Sequence, residues 1–182
     1  MPTSIELLKE VPYNYTMTVD IMKSCWAACT GSSNNSNNSN SSNSSNNKYR
    51  ADAIIANPVS YGHIHCAEAL GIPLHLMFPQ PWVATKAFPH PLSYLPYNLT
   101  WNTDNYMSYA MVDRLIWASM EADVNQFRLN IGLKMIRLGE NGYNILSHRK
   151  VPLIEMWSEL LVPTPKDWPN YIRASGFFVE KE

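Results

Sequence analysis

The spacing of apolar residues changes period several times along the chain, and each change marks an element. In "YTMTVDIMKSCWAACTG", Met17, Ile21, Cys25 and Ala28 recur at helical intervals and the run ends at Gly31, which predicts a helix with a glycine C-cap. "ADAIIANP" reads as a short buried strand, stopped at Asn57-Pro58 because the residue before a proline is pushed out of the helical region. "SYGHIHCAEALGIP" predicts a helix ending at Gly71, and "LHLMF" predicts the strand after it. Strand, helix, strand in that order is a βαβ unit, which implies a parallel sheet with helices on its faces. Further on, Tyr109, Val112, Ile116, Met120, Val124, Phe127 and Ile131 recur with gaps of three or four, predicting a long amphipathic helix that stops near Gly132. Asp113 and Arg114 on that helix are expected on a solvated or capping face. "KVPLIEMWSELLVPTPKDWP" contains one or two short strands and a proline-rich turn, and "YIRASGFFVEKE" starts as another strand. The expected class is α/β.

Two stretches have no period. Residues 32–47 hold only Ser and Asn, too polar to offset chain entropy by burial, and predict a disordered insertion between an N-terminal helical piece, 1–31, and the remainder, 48–173. Residues 79–104 predict a long loop, but one rich in proline and aromatic residues, which argues against disorder. It grows from "FPQPWVATKAFPHP", residues 78–91, at the carboxyl end of a predicted parallel strand, where open α/β sheets place their ligand crevices. Its prolines stiffen the backbone around Trp82 and Phe88, while Lys86 and His90 supply polar handles. The residues alone leave two readings open: a ligand wall, or ordinary plugs at a domain edge.

Composition narrows the class. At 182 residues, one domain with a real core is the default. Charged residues make up 16% of the chain, against a usual share of about 25%, so the surface is under-charged or meant to be covered. A net charge of −1 excludes the basic stripe that nucleic acid requires. Cys25, Cys29 and Cys66 form no C-x-x-C pair and are odd in number, which suits a reducing compartment. With no signal peptide and no apolar window of membrane-spanning length, the chain reads as cytosolic or peripheral to a membrane, and Asn98-Leu99-Thr100 as an accidental sequon. His63 and His65 invite a metal, but two residues apart on a helix they point roughly 200° from each other and cannot share an ion there. No glycine-rich phosphate loop and no nucleophile elbow occur among only seven glycines.

Three segments taken together resemble a known family: "DAIIANPVSYGHIHCAEALGIPLHLMFPQPWVATKAFPHPLS", "NYMSYAMVDRLIWASMEADVNQFR" and "EMWSELLVPTPKDWPNYIRASGFF". Spanning residues 50–180, in order, they are similar to corresponding parts of the sterol glucosyltransferases of plants and fungi, a branch of the UDP-dependent glycosyltransferases. The resemblance implies the GT-B architecture of two facing Rossmann-like domains. This chain would supply the second half of the acceptor domain, a partial Rossmann-like parallel sheet with flanking helices, and the start of an interdomain linker at 174–182. It further implies UDP-glucose as donor, a sterol or other hydrophobic acceptor, inversion at the anomeric carbon, and no cofactor. The family's glycine-rich opening turn and base histidine are expected upstream of Met1, and the nucleotide-sugar signature in a donor domain beyond Glu182. No catalytic or donor-phosphate residue is therefore carried over. The acceptor wall expected within this chain is Tyr61, His63, Trp82, Lys86, Phe88, Pro89 and His90. Gln80 and Val83 depart from the family pattern, where Met and a hydroxyl residue are common. Rival readings are a transferase for another hydrophobic aglycone, and an inactive lipid-binding chain without a donor domain. An unpaired sheet edge would also make the isolated chain poorly soluble.

Overall fold

The computed structural model describes residues 4–31, 49–93 and 102–179. The Ser/Asn insertion and the sequon lie outside the described residues. Helix α1 runs Ser4–Thr30 and ends at Gly31, whose φ of +63° is the left-handed conformation a C-cap needs. From Met17 onward its buried residue is Met22, flanked by half-buried Val19, Cys25, Trp26 and Cys29, whereas Met17 and Ala28 are exposed. The face expected from the sequence is thus rotated by about one position, because Met22 and Trp26 pack against Cys66, Val124 and Phe127.

Strand β1, Ile54–Ala56, gives way to a 3-10 turn at Pro58–Ser60, capped by the Asn57 side chain accepting the Val59 N–H at 2.9 Å. Helix α2, His63–Leu70, then crosses to β2, Leu74–Phe78. The chain wanders to α3, Asn102–Asn130, turns through Gly142–Asn144 into the single-turn α4, Ile145–His148, and reaches β3, Leu153–Glu155, and β4, Ile172–Ala174. Residues 150–169 thus contribute one strand. The four strands lie in the order β1-β2-β3-β4 and every pair is parallel, the α/β arrangement of a partial Rossmann-like domain.

Two apolar clusters meet at α2. Ile64 and Ala67, three residues apart, face the sheet and pack with Leu74, Leu76, Leu153 and Ile172. Cys66 points the other way, to Met22 of α1 and to Val124 and Phe127 of α3. Being covered on both sides, α2 buries every residue from His63 to Ala67, its two imidazoles included. The α3 stripe follows the predicted spacing: Tyr109, Val112, Val124 and Phe127 are buried, and Gly132, at φ +83°, ends the helix.

Candidate functional site

The loop that leaves β2 is fixed at three places. The Thr85 hydroxyl and the Lys86 N–H donate to the two carboxylate oxygens of Asp167 at 2.7 and 2.8 Å, and the Trp168 indole N–H donates to the Val83 carbonyl at 3.1 Å. The Asn105 amide donates to the Lys86 carbonyl at 3.0 Å. The His90 N–H donates to the Ser108 hydroxyl oxygen at 2.8 Å. So held, Trp82 stands edge-on to Phe78 with ring centroids 5.0 Å apart, and His90 fills the space between Trp82 and Tyr109, 4.9 and 5.1 Å from them.

In front of Trp82 lies a cavity of about 90 Å³. Tyr61 and His63, following β1, supply one wall; Ile116, Trp117 and Met120 of α3 supply another; and Tyr143, Asn144 and Ile145, leading into β3, close it. The site thus collects segments that follow β1 and β2, as carboxyl-end crevices of parallel sheets do. Gly142 is required where it stands, since a Cβ there would overlap the Trp117 ring. Gly142→Ala is expected to displace that ring or the turn and to cost about 1–3 kcal/mol, read as a lower midpoint in chemical denaturation.

The cavity is apolar in area but carries buried polar groups. His63 is 3% exposed, and neither ring nitrogen has a hydrogen-bond partner among the described residues; the Asn144 side-chain oxygen lacks one too. Burial lowers the His63 pKa to about 4, so the ring is neutral near pH 7. Burial likewise raises the Asp113 carboxyl from 3.8 to about 7. The Tyr61 phenol is pushed up by burial and then by Asp113, and its backbone has the unusual φ of +49°. His65, two residues after His63, also lines the cavity, but its Nδ1 meets the Arg128 guanidinium at 2.8 Å, and burial together with that cation lowers its pKa to about 3. Among the described residues, no group of three His, Cys, Asp or Glu is placed to hold a metal ion.

No protein-family model matches the chain. A sterol 3-beta-glucosyltransferase of Arabidopsis thaliana is 40% identical over 130 residues, 71% of this chain and 20% of the relative. A second from the same plant is 39% identical over 171 residues, 92% of this chain and 24% of the relative. One from Cryptococcus neoformans is 31% identical over 163 residues, 89% and 9% of the respective lengths. Over most of its own length the chain is similar to a part of these sterol 3-beta-glucosyltransferases. The chain spans less than a quarter of the length of these relatives.

Of the seven residues expected in the acceptor wall from the family resemblance, Tyr61, His63 and Trp82 come together at the cavity. The other four lie elsewhere. Lys86 is exposed and is held through its backbone. Phe88 stands edge-on to Trp168, 6.1 Å away, in the sheet cluster, and Pro89 is fully buried. His90, 1% exposed, backs Trp82 without lining the cavity. Asp113, expected on a solvated or capping face, instead lines the cavity, while its neighbour Arg114 is exposed and stacks over the Tyr143 ring at 4.9 Å. A signal for this was present, since Asp113, Ile116, Trp117 and Met120 fall at i, i+3, i+4 and i+7 on one face of α3.

Proposed function

We propose that the protein is the acceptor-side part of an enzyme that transfers glucose from UDP-glucose to the 3-hydroxyl of a sterol. The carrying observation is the aromatic cavity at the carboxyl ends of β1 and β2, in a chain whose relatives are named for that reaction. In such a transfer the hydroxyl oxygen loses its proton to a base and attacks the anomeric carbon from the face opposite UDP, which departs with the bonding pair and inverts that centre. The base and the donor's phosphate ligands are assigned to no residue here. Drug-sized ligands fill pockets of roughly 300–1,000 Å³, so a cavity of about 90 Å³ takes one end of a sterol and leaves the rest to apolar surface outside it. Residues from 174 onward are read as the start of the connection to a donor-binding domain. We assign the protein to the cytosol with contact to membranes, the source of a sterol acceptor. No helix among the described residues is long and apolar enough to cross one.

The test is UDP-glucose consumption by an enzyme that joins this acceptor-side part to a donor-binding domain, with sterol and flavonoid acceptors supplied in parallel. Transfer to non-sterol acceptors alone would reject the sterol assignment and favour another hydrophobic aglycone; no transfer to any acceptor would favour the lipid-binding reading. Trp82→Ala removes an aromatic wall and is expected to raise the acceptor KM about 10-fold or more while the donor KM stays within about 2-fold. An equal change in both would return Trp82 to a purely structural role.

A further inference from the structure

Among the polar groups lining the cavity, three come from separate elements, and two of these lack hydrogen-bond partners among the described residues. His63 projects from α2 with both ring nitrogens unbonded among the described residues, and Asn144 presents its side-chain oxygen from the turn before α4. Asp113 enters from α3. An orphaned buried donor or acceptor forfeits its hydration without recompense, so such groups persist where a ligand or ordered water completes them. Their chemistry specifies what fits. A neutral imidazole offers one donor and one acceptor nitrogen in either tautomer, the Asn144 oxygen accepts, and the Asp113 carboxyl accepts when ionised and can donate when protonated. A group that both donates and accepts satisfies this set, and a hydroxyl does so at the smallest size. An anion would face the Asn144 oxygen, and a ketone, which only accepts, would leave that oxygen unserved. The walls of Trp82, Ile116, Trp117 and Met120 require the carbon behind that hydroxyl to be apolar. An apolar cavity of ~150 Å³ holds a benzene ring, so about 90 Å³ admits the leading edge of a single ring.

We propose that His63, Asp113 and Asn144 form the hydroxyl-recognition end of the acceptor site, selecting a neutral alicyclic alcohol over its ketone and its deoxy counterpart. The proposal rests on the glucosyl-transfer reading for the identity of the alcohol as a sterol. It requires no assignment of the catalytic base.

Binding tests it apart from turnover. Trp82 and Trp117 lie in the wall, so energy transfer from tryptophan to the fluorescent sterol dehydroergosterol reports occupancy of the full chain. Cholesterol, cholestanone and cholestane then compete for the probe. The alcohol is expected to displace it at least ~10-fold more effectively than the deoxy hydrocarbon, with the ketone between. His63→Phe and Asp113→Leu are expected to erase that preference while still binding sterol. Both replace buried polar groups by apolar ones of similar shape, so thermal melts should show them folded and no less stable than the parent. Equal displacement by the three competitors, absence of any displacement, or a preference that survives both substitutions would overturn the proposal. Glucose transfer without the preference sinks this inference and spares the transferase reading, whereas preference without transfer does the reverse.

Discussion

Arg128→Ala is expected to lower unfolding stability by about 3 kcal/mol, the low end of the cost of removing one partner from a buried ion pair, because Glu68 is only half-buried. Arg128 is 4% exposed and every face of its guanidinium is occupied. Two nitrogens reach the Glu68 carboxylate at 2.8 and 3.2 Å, one of them also meets His65 at 2.8 Å, and Nε donates to the Lys134 carbonyl at 2.8 Å. The Arg128 hydrogen bond holds the Glu68 carboxyl below its usual range, against the upward pull of burial. One side chain thereby joins α2, α3 and the segment after α3, and alanine would leave Glu68 facing only the more exposed Arg149. Urea denaturation measures the loss. Arg128→Lys keeps the charge but not the planar fork and should recover only part of it. The exposed Asp20–Lys23 pair, 3.8 Å apart, is the control, where Lys23→Ala should cost less than about 1 kcal/mol. A loss of that small size at Arg128 would show the network to be dispensable.

Glu155→Gln should have the opposite sign and depend on pH. Glu155 is fully buried at the carboxyl end of β3; one oxygen accepts the Trp82 N–H at 3.4 Å and the other has no partner among the described residues. Burial raises its pKa from 4.5 to about 8, the Trp82 N–H opposing this only in part. In that window the folded state keeps a proton that the unfolded chain has lost, so stability falls as pH rises from 4.5 to about 8 and levels off above it. Glutamine removes this contribution. The variant should match the parent near pH 4.5 and exceed it by a few kcal/mol at pH 8, since each tenfold difference in proton affinity between folded and unfolded chain is worth about 1.4 kcal/mol. Asp113 adds a loss of the same sign between 3.8 and about 7. His63 and His90, both lowered from 6.5 to about 4 by burial, act oppositely: their contribution is present above 6.5 and lost as pH falls through 4. The difference between parent and Glu155→Gln isolates the carboxyl from all three. Parallel stability curves across pH 5–8 would show that Glu155 is ionised in the fold.

What the sequence discloses follows from what its patterns encode. β2 is legible residue for residue and α3 nearly so, because each carries its own period and its own stop signal. The face of α1 differs by one position from its spacing, since Ile21 and Met22 are adjacent apolar residues and only packing against Cys66, Val124 and Phe127 decides between them. The turn and α4 at 142–148 escape a reading of the sequence because three- and four-residue helices are too short to show a period. That omission matters for the site, as one cavity wall comes from there. Within "FPQPWVATKAFPHP" the residues differ in where they sit. Trp82 reaches the cavity, whereas Phe88 and Pro89 are packing. Asp113 is masked by its own chemistry, because a carboxylate on an amphipathic helix normally faces water, although its spacing from Ile116, Trp117 and Met120 places it on their face.

The clasp of Asp167 on Thr85 and Lys86 joins residues more than eighty positions apart in the chain. During vector synthesis, β1, α2 and β2 can assemble before the stretch around Asp167 has been made, but the loop bearing Trp82 then lacks its anchor. The loop bearing Trp82 is therefore among the last parts of this unit to set, and a nascent chain arrested before Asp167 would display a sheet with an unset mouth.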